Sequence, residues 1–252
     1  MSPVPAVVLR LVKGSLLFFP VLTALFWLGT PLGIWGALYL VFLLELLPAL
    51  SVAQLPLVDD EGLLPRVSVY LSSGAIILGI GWMGVMVGWN ELGAETMGID
   101  SAPWGLVTIW TMGLSLAAFL LLWGFLLFRK AAGIQESPLL IELLPRTGRE
   151  KVIFGFLSLA AGVGEEIAYR GYLIPALTLL LGWDWGAALV SSAVFGLLHA
   201  YQGWLGIART ASLGLVLAAS FILSGTLWPA ILAHASLDLI AGLVLGETLV
   251  RE

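Results

Sequence analysis

Eight long stretches of apolar residues dominate this sequence of 252 residues. Each holds about 17–25 residues, the length that a helix needs to cross a hydrocarbon core of about 30 Å. A helix also satisfies its own backbone hydrogen bonds, as lipid requires. We therefore expect an all-α, polytopic membrane helix bundle of about eight transmembrane helices. The stretches fall at residues 11–29, 32–54, 66–89, 104–128, 152–180, 185–201, 205–223 and 228–246.

The composition supports the membrane interpretation and excludes several other classes of protein. Apolar residues make up 60% of the chain and charged residues 11%, whereas soluble domains are about half apolar and about a quarter charged. There is no cysteine, which rules out disulfides, thiolate catalysis and cysteine zinc ligands. A net charge of −5 without a long basic block argues against nucleic acid as a partner.

Apart from Arg170, which lies inside a stretch, lysine and arginine fall at or near alternate connections between the stretches, which predicts the orientation of the bundle. The basic residues at or near these connections are Arg10, Lys13, Arg66, Arg129, Lys130, Arg146, Arg149, Lys151, Arg209 and Arg251. The other connections instead carry tryptophan near the stretch ends, as in an interfacial aromatic belt. These are Trp27, Trp35, Trp89, Trp104, Trp183, Trp185 and Trp228. We expect both termini on the cytoplasmic side of a multi-pass protein of the cytoplasmic (plasma) membrane.

No second soluble domain is visible, so we expect a single integral membrane domain over residues 1–252. Residues 1–130 form a four-helix N-terminal portion, and residues 150–246 form a core that carries the chemical motifs. The first stretch resembles a secretory signal, but further membrane stretches follow and no clear cleavage site is present, so we interpret it as a retained helix. Residues 133–150 are amphipathic and contain prolines, which fits either an interfacial helix or a plain loop.

Ionisable residues inside membrane helices are costly and mark candidate functional sites. In the first half the clear case is Glu45, for which we favour a structural or interfacial role. The second half holds six such residues on three predicted helices, including both histidines of the chain. They are Glu165, Glu166, Arg170, His199, His234 and Asp238.

Helical spacing divides this set. Glu166 and Arg170 are four residues apart and share one helix face, so they are expected to neutralise one another. Glu165 points about 100° away on the same helix and is left unpaired. His234 and Asp238 are also four residues apart and face the same way.

Carboxylates and imidazoles in a water-poor pocket suit the activation of a water molecule, with Glu165 as general base. The histidines fit either of two tasks, to orient the water or to coordinate a divalent metal such as zinc together with a carboxylate. Buried polar groups that merely bond helices together are the bland alternative. Six residues of these types on three helices favour the catalytic interpretation.

Three motifs in this region resemble those of the CPBP family, the CAAX-protease and bacteriocin-processing (Abi) intramembrane proteases. GEEIAYRGYL at 164–173 resembles the EExxxR motif of the family. FGLLH at 195–199 is similar to its FxxxH motif, and HASLD at 234–238 to its HxxxN/D motif. The three occur in the family order and the resemblance covers roughly residues 150–245.

The resemblance implies a role for each residue. Glu165 activates the hydrolytic water with help from His199, while Glu166 and Arg170 stabilise the site. His234 and Asp238 bind the developing oxyanion or help to hold a metal, whose ligands would be Glu165, His199, His234 and Asp238. An ionised Asp238 only accepts hydrogen bonds, unlike the asparagine found there in other members. This favours His234 as the donor, with Asp238 as its supporting partner.

The expected depths of these residues agree only in part. At about 1.5 Å per residue, Glu165 and His234 lie at similar depths and His199 lies some 12 Å nearer the cytoplasm. Gly162, Gly164 and Gly171 permit close helix approach around the acidic motif. Pro175 is expected to kink the helix beyond it.

The sequence leaves three hypotheses for function. The first is an intramembrane endopeptidase acting on a membrane-associated peptide or protein, prenylated or not, by water attack. The second is a proton- or cation-coupled transporter, although transporters tend to carry paired repeats in both halves. The third is a catalytically silent partner of another membrane protein. The lipid bilayer is an expected partner in every case, and the oligomeric state stays open.

Overall fold

A computed structural model describes Ala24 and residues 29–61, 64–100 and 102–245, and regular structure within these ranges is entirely helical. The α-helices are α1 (Ile34–Val41), α2 (Leu47–Glu61), α3 (Arg66–Glu91), α4 (Trp104–Ala132), α5 (Pro138–Leu143), α6 (Gly148–Glu166), α7 (Ile174–Leu181), α8 (Asp184–Leu198), α9 (Gly203–Ser224) and α10 (Trp228–Ile240). Wider π-helical turns join α1 to α2 (Phe42–Leu46) and α6 to α7 (Ile167–Leu173), and a third (Ala241–Leu245) follows α10. The predicted all-α architecture is confirmed.

Five helical spans in the described ranges are long and apolar enough, by length and composition, to cross a membrane. They are Ile34–Ala53, Arg66–Glu91, Trp104–Ala132, Gly148–Leu181 and Ala200–Ser224. Two shorter apolar helices accompany them, Asp184–Leu198 and Trp228–Leu243. Of the predicted first stretch at 11–29, only Ala24 and residue 29 are described. Arg10, Lys13 and Trp27 lie outside the described residues, as does Arg251 at the other end. The chain is a multi-pass membrane protein.

Helix α8 is shorter than the sequence predicts. It ends at Leu198, and after His199 the chain tightens into a 3₁₀ turn, Ala200–Gln202, before α9 begins. The predicted stretch runs on to residue 201. Fifteen residues rise only about 22 Å, less than the hydrocarbon core of about 30 Å.

The connections that carry basic residues meet at one end of the bundle, here called the basic end. There Arg209 donates to Glu136 at 2.9 Å and Arg66 pairs with Glu142. The connections rich in tryptophan meet at the opposite end, here called the tryptophan end. Leu227 N donates to Gly98 O at 2.8 Å there, and the Trp104 and Trp228 rings lie 6.1 Å apart. The placement of the basic end at the cytoplasm stays a prediction.

The amphipathic segment 133–150 contains the six-residue helix α5, which lies across the basic end. Ser137 Oγ donates to Tyr201 O at 2.7 Å, and Tyr70 OH donates to Leu143 O at 2.6 Å, so the segment is tied to two different parts of the bundle. Thr147 then starts α6 with a capping box in which its side chain and that of Glu150 satisfy each other's backbone N–H. The helical alternative for this segment therefore holds over residues 138–143.

The helix that carries the acidic motif lies in the middle of the bundle, where α6 packs extensively against α3 and α10. Glycines make these approaches close. A Cβ atom at Gly81 of α3 would lie 2.6 Å from Gly164 Cα, and one at Gly162 would lie 2.8 Å from Ala235 Cβ of α10. Small residues just before Glu165 thus allow α3 and α10 to approach the motif helix closely.

Candidate active site

The centre of the site is a fully buried ion pair between the end of α6 and the π-helical turn that follows it. Arg170 Nη1 lies 2.6 Å from Glu166 Oε1, and neither side chain is exposed. Arg170 also donates through Nη2 to Gly214 O of α9 at 3.1 Å, and its guanidinium carbon lies 4.4 Å above the ring centre of Phe195. A guanidinium can make all these contacts at once because it is planar and carries several donors.

His234 of α10 joins this ion pair through a hydrogen bond to Glu166. His234 Nδ1 lies 2.7 Å from Glu166 Oε1, the same oxygen that Arg170 contacts. An ionised carboxylate only accepts hydrogen bonds, so Nδ1 carries the proton and donates it. The other nitrogen, Nε2, lies 3.7 Å from Glu165 Oε2 and 3.7 Å from Asp238 Oδ2.

The two adjacent glutamates occupy different environments. The Glu166 side chain is fully buried, whereas 17% of the Glu165 side chain and 40% of the Asp238 side chain are exposed. The ring of His234 therefore stands between one sealed carboxylate and two accessible ones. The sealed carboxylate fixes the ring, whereas the two accessible carboxylates are exposed beside its other nitrogen.

His199 is linked to the rest of the site by the ring of Phe195, which contacts both His199 and His234. It follows the last residue of α8, and its Nδ1 lies 2.9 Å from Phe195 O. A carbonyl oxygen only accepts, so Nδ1 is the donor and a neutral ring leaves Nε2 as an acceptor. The Phe195 ring centre lies 5.0 Å from that of His199 and 6.0 Å from that of His234. Both imidazoles thus pack against one phenylalanine, despite the different depths expected from the sequence.

The structure brings Glu165, Glu166, Arg170, His234 and Asp238 into one cluster, with His199 across the Phe195 ring. Among the described residues no group of three His, Cys, Asp or Glu side chains is arranged to hold a metal ion. The zinc ligand set expected from the family resemblance therefore stays a prediction.

Two contributors to the site were missed at the level of sequence. Phe195 contacts Arg170 and both histidines, and its position as the first residue of FGLLH was the available signal. Gly214 contributes a backbone carbonyl, and its sequence context carries no signal for that role. A Cβ atom at Gly214 would lie 3.0 Å from Arg170 Nη2, so the glycine also makes room for the guanidinium.

Glu45 lies apart from this cluster in sequence and sits in the first π-helical turn, where it is partly buried. Its Oε2 has no hydrogen-bond partner within the described part of the chain. A surface cavity of about 240 Å³ lies elsewhere, at the tryptophan end, and none of the six predicted residues lines it. Its walls are Ile99, Asp100, Ala102, Trp104, Val107 and Trp228.

Comparison with known protein families identifies the same part of the chain. Residues 148–240 match the family model described as type II CAAX prenyl endopeptidase Rce1-like. The match begins with α6, ends with α10 and contains all six predicted site residues. No curated protein and no solved structure matches the chain.

Proposed function

We propose that this multi-pass membrane protein, which carries an Rce1-like domain of the type II CAAX prenyl endopeptidase family over residues 148–240, is an intramembrane endopeptidase. One observation carries the proposal beyond the family match. His234 is held through Nδ1 by the sealed Glu166 at 2.7 Å and presents Nε2 to the accessible Glu165 at 3.7 Å. A fixed imidazole beside a free carboxylate is the arrangement that acid–base hydrolysis needs.

Glu165 is the general base in this mechanism. It takes a proton from a water molecule as the water oxygen forms a bond to the scissile carbonyl carbon, and the carbonyl π electrons move onto oxygen. The same proton is then delivered to the amide nitrogen as the C–N bond breaks. Glu165 returns to its ionised state, and no covalent enzyme intermediate forms.

His234 stabilises the charge that develops on the carbonyl oxygen. With Nδ1–H committed to Glu166, a second proton on Nε2 makes an imidazolium whose Nε2–H donates to the oxyanion. Asp238 lies near the same nitrogen and favours that protonated form through its own charge. His199, with Nε2 free to accept, assists the movement of the water proton.

The proposed substrate is a membrane-associated peptide or protein that enters the bundle from the lipid. The family name points to prenylated CAAX ends, and bacteriocin-type peptides are the other class that the resemblance suggests. We propose that the enzyme lies in the cytoplasmic membrane with its basic end facing the cytoplasm. The steps proposed above use only these side chains and a water molecule.

The deciding experiment compares purified wild type with Glu165→Gln and His199→Ala on two fluorescence-quenched peptides, a prenylated CAAX peptide and the same peptide without its prenyl group. We expect wild type to cleave at least one of them and both variants to lose most of that activity. Equal cleavage by all three proteins would contradict the proposal. Substrate-coupled proton flux in liposomes, without cleavage, would instead support the transporter hypothesis.

A further inference from the structure

The five tyrosines of the chain all lie in the described residues, and four of them have a hydrogen-bond partner for the hydroxyl. Three donate to backbone carbonyls: Tyr39 to Ile80 at 2.7 Å, Tyr70 to Leu143 at 2.6 Å and Tyr172 to Gly36 at 2.7 Å. Tyr201 accepts from Gln202 at 3.1 Å. Tyr169 differs, because its buried hydroxyl has no partner within the described residues.

Tyr169 lies beside the proposed base. It follows Glu165 by four residues, so the two side chains share a helix face, as Glu166 and Arg170 do one position further on. Its ring centre lies 5.3 Å from that of Phe195, the ring that both histidines contact. Its hydroxyl makes no hydrogen bond to Glu165, to Arg170 or to any other described residue.

An unpaired hydroxyl is an expensive feature in the centre of a membrane bundle. Tyr169 is 1% exposed, and a buried polar group without a partner costs free energy that a phenylalanine would avoid. The neighbouring Tyr172 is equally buried, and the fold satisfies its hydroxyl with the Gly36 carbonyl. An unsatisfied donor of this kind is explained if it is reserved for a partner that arrives with the substrate.

The proposed reaction needs such a donor. The oxyanion of peptide hydrolysis is best stabilised by neutral or positive donors aimed at it before the reaction begins. Asp238 cannot fill this role when ionised, since a carboxylate only accepts. His234 Nε2 supplies one donor, and the Tyr169 hydroxyl, which shares a helix face with Glu165, is a donor that no other described group uses.

We propose that the Tyr169 hydroxyl is a catalytic hydrogen-bond donor. It binds the oxyanion that develops on the scissile carbonyl of the substrate beside Glu165, an inference that rests on the proposed endopeptidase function. The phenol keeps its proton throughout. The water proton still goes to Glu165 and then to the leaving nitrogen, so the balance of the reaction is unchanged. Tyr169 and His234 together form the oxyanion site.

The test is Tyr169→Phe, which removes only the hydroxyl, with Tyr172→Phe as its matched control three residues along the same helix. Both are assayed as full-length purified protein on the prenylated CAAX peptide, or on its unprenylated copy if only that is cleaved. We expect Tyr169→Phe to lower kcat by about 10²–10³-fold with little change in KM. Its thermal midpoint should stay equal to that of wild type or rise. Tyr172→Phe should keep its kcat and unfold at a lower temperature, because the Gly36 carbonyl loses its donor.

A rescue variant tests the chemical role directly. Asp238 borders the same site, and Asp238→Asn introduces an amide donor there. The double variant Tyr169→Phe with Asp238→Asn should recover part, but not all, of the kcat that Tyr169→Phe alone has lost, because the amide supplies a donor but no longer favours the protonated form of His234 through a charge. A role in packing alone would give no such recovery.

The outcomes separate this inference from the function on which it rests. Cleavage that is lost in Glu165→Gln but unchanged in Tyr169→Phe would overturn the role of Tyr169 and leave the endopeptidase intact. A lower kcat that follows a lower thermal midpoint, without rescue by Asp238→Asn, would also overturn it. Cleavage that survives Glu165→Gln would overturn both proposals.

Discussion

Glu166 and His234 are 68 positions apart in sequence, yet His234 Nδ1 lies 2.7 Å from Glu166 Oε1 at the centre of the bundle. The same oxygen lies 2.6 Å from Arg170 Nη1. Glu166 therefore does more than neutralise an arginine. It fixes which nitrogen of His234 is presented to Glu165, in the way that a buried carboxylate sets the tautomer of a catalytic histidine.

We expect Glu166→Gln to lower both stability and activity. Removing one partner of a buried ion pair leaves Arg170 uncompensated and costs about 3–5 kcal/mol of unfolding free energy. Loss of the carboxylate that orients His234 should reduce kcat by about 10–100-fold, as for other orienting partners. Thermal unfolding in detergent and peptide cleavage measure the two effects.

A double variant distinguishes these two roles of Glu166. Glu166→Gln with Arg170→Met removes the whole pair, which is far less costly than removing one member. Stability should return toward that of wild type while activity stays low. Recovery of activity together with stability would show that His234 needs no carboxylate partner.

Arg170→Lys keeps the charge but should still destabilise the protein. A lysine has no planar fork, so it cannot contact Glu166, the Gly214 carbonyl and the Phe195 ring together. We expect a loss of about 1–3 kcal/mol, because the buried hydrogen bond from the guanidinium to the Gly214 carbonyl is lost. Arg146→Lys is the control, since that side chain is 45% exposed and its change should be negligible. Equal unfolding temperatures for the two variants would contradict the role given to the fork.

Gly81→Ala tests the close approach of α3 to the motif helix. The added Cβ would lie 2.6 Å from Gly164 Cα, and overpacking of this kind costs about 1–3 kcal/mol. Gly113→Ala on α4 is the matched control, because no atom lies within 4 Å of the added Cβ there. We expect Gly81→Ala to unfold at a lower temperature and to lose activity, while Gly113→Ala behaves as wild type or better. A harmless Gly81→Ala would mean that α3 is free to shift.

Glu136 is expected to hold α5 against the bundle. Its side chain is 7% exposed and lies 2.9 Å from Arg209 and 3.7 Å from Arg129. Glu136→Gln weakens both attractions, so the backbone amides of residues 139–143 in α5 should exchange hydrogen faster in mass spectrometry. Glu95→Gln, at an exposed position of the tryptophan end, should leave that exchange unchanged. Identical exchange in the two variants would remove Glu136 from this role.

Metal removal is expected to leave the enzyme active. The reaction described above uses side chains alone, and no three-donor set is present among the described residues. Purified protein should therefore cleave peptide after exhaustive chelation and dialysis, and elemental analysis should find less than one metal per chain. Inactivation by the chelator that zinc reverses would restore the metal ligand set predicted from the family resemblance.

Local patterns predicted much of this site. The spacing of Glu166 and Arg170 places them in contact, and the structure has that contact at 2.6 Å. The distribution of lysine and arginine divides the connections into two groups, and contacts such as Arg209–Glu136 join members of one group. The first inference depends on residues within one helix turn, and the second on the preference of basic residues for one side of a membrane. Neither requires the tertiary fold to be known.

The partner of His234 was beyond such reasoning. Spacing along α10 paired it with Asp238, yet its short hydrogen bond is to Glu166 on another helix, and Asp238 lies 3.7 Å from the opposite nitrogen. Which of two adjacent glutamates meets the imidazole depends on how α6 and α10 pack through Gly162. The depth of His199 was likewise uncertain, because the end of α8 is set by a turn whose contacts are tertiary.

The early end of α8 has a consequence for how water reaches the site. The fifteen residues of α8 are too few to cross the hydrocarbon core as an apolar helix. Polar groups occupy the last part of the crossing instead. Arg209 donates to both Glu136 and Gln202, and Ser137 bonds to the turn after His199. A hydrophilic plug thus replaces hydrocarbon between His199 and the basic end. Hydration of these polar groups would bring water, the reactant of a hydrolysis, from the basic end to the His199 imidazole.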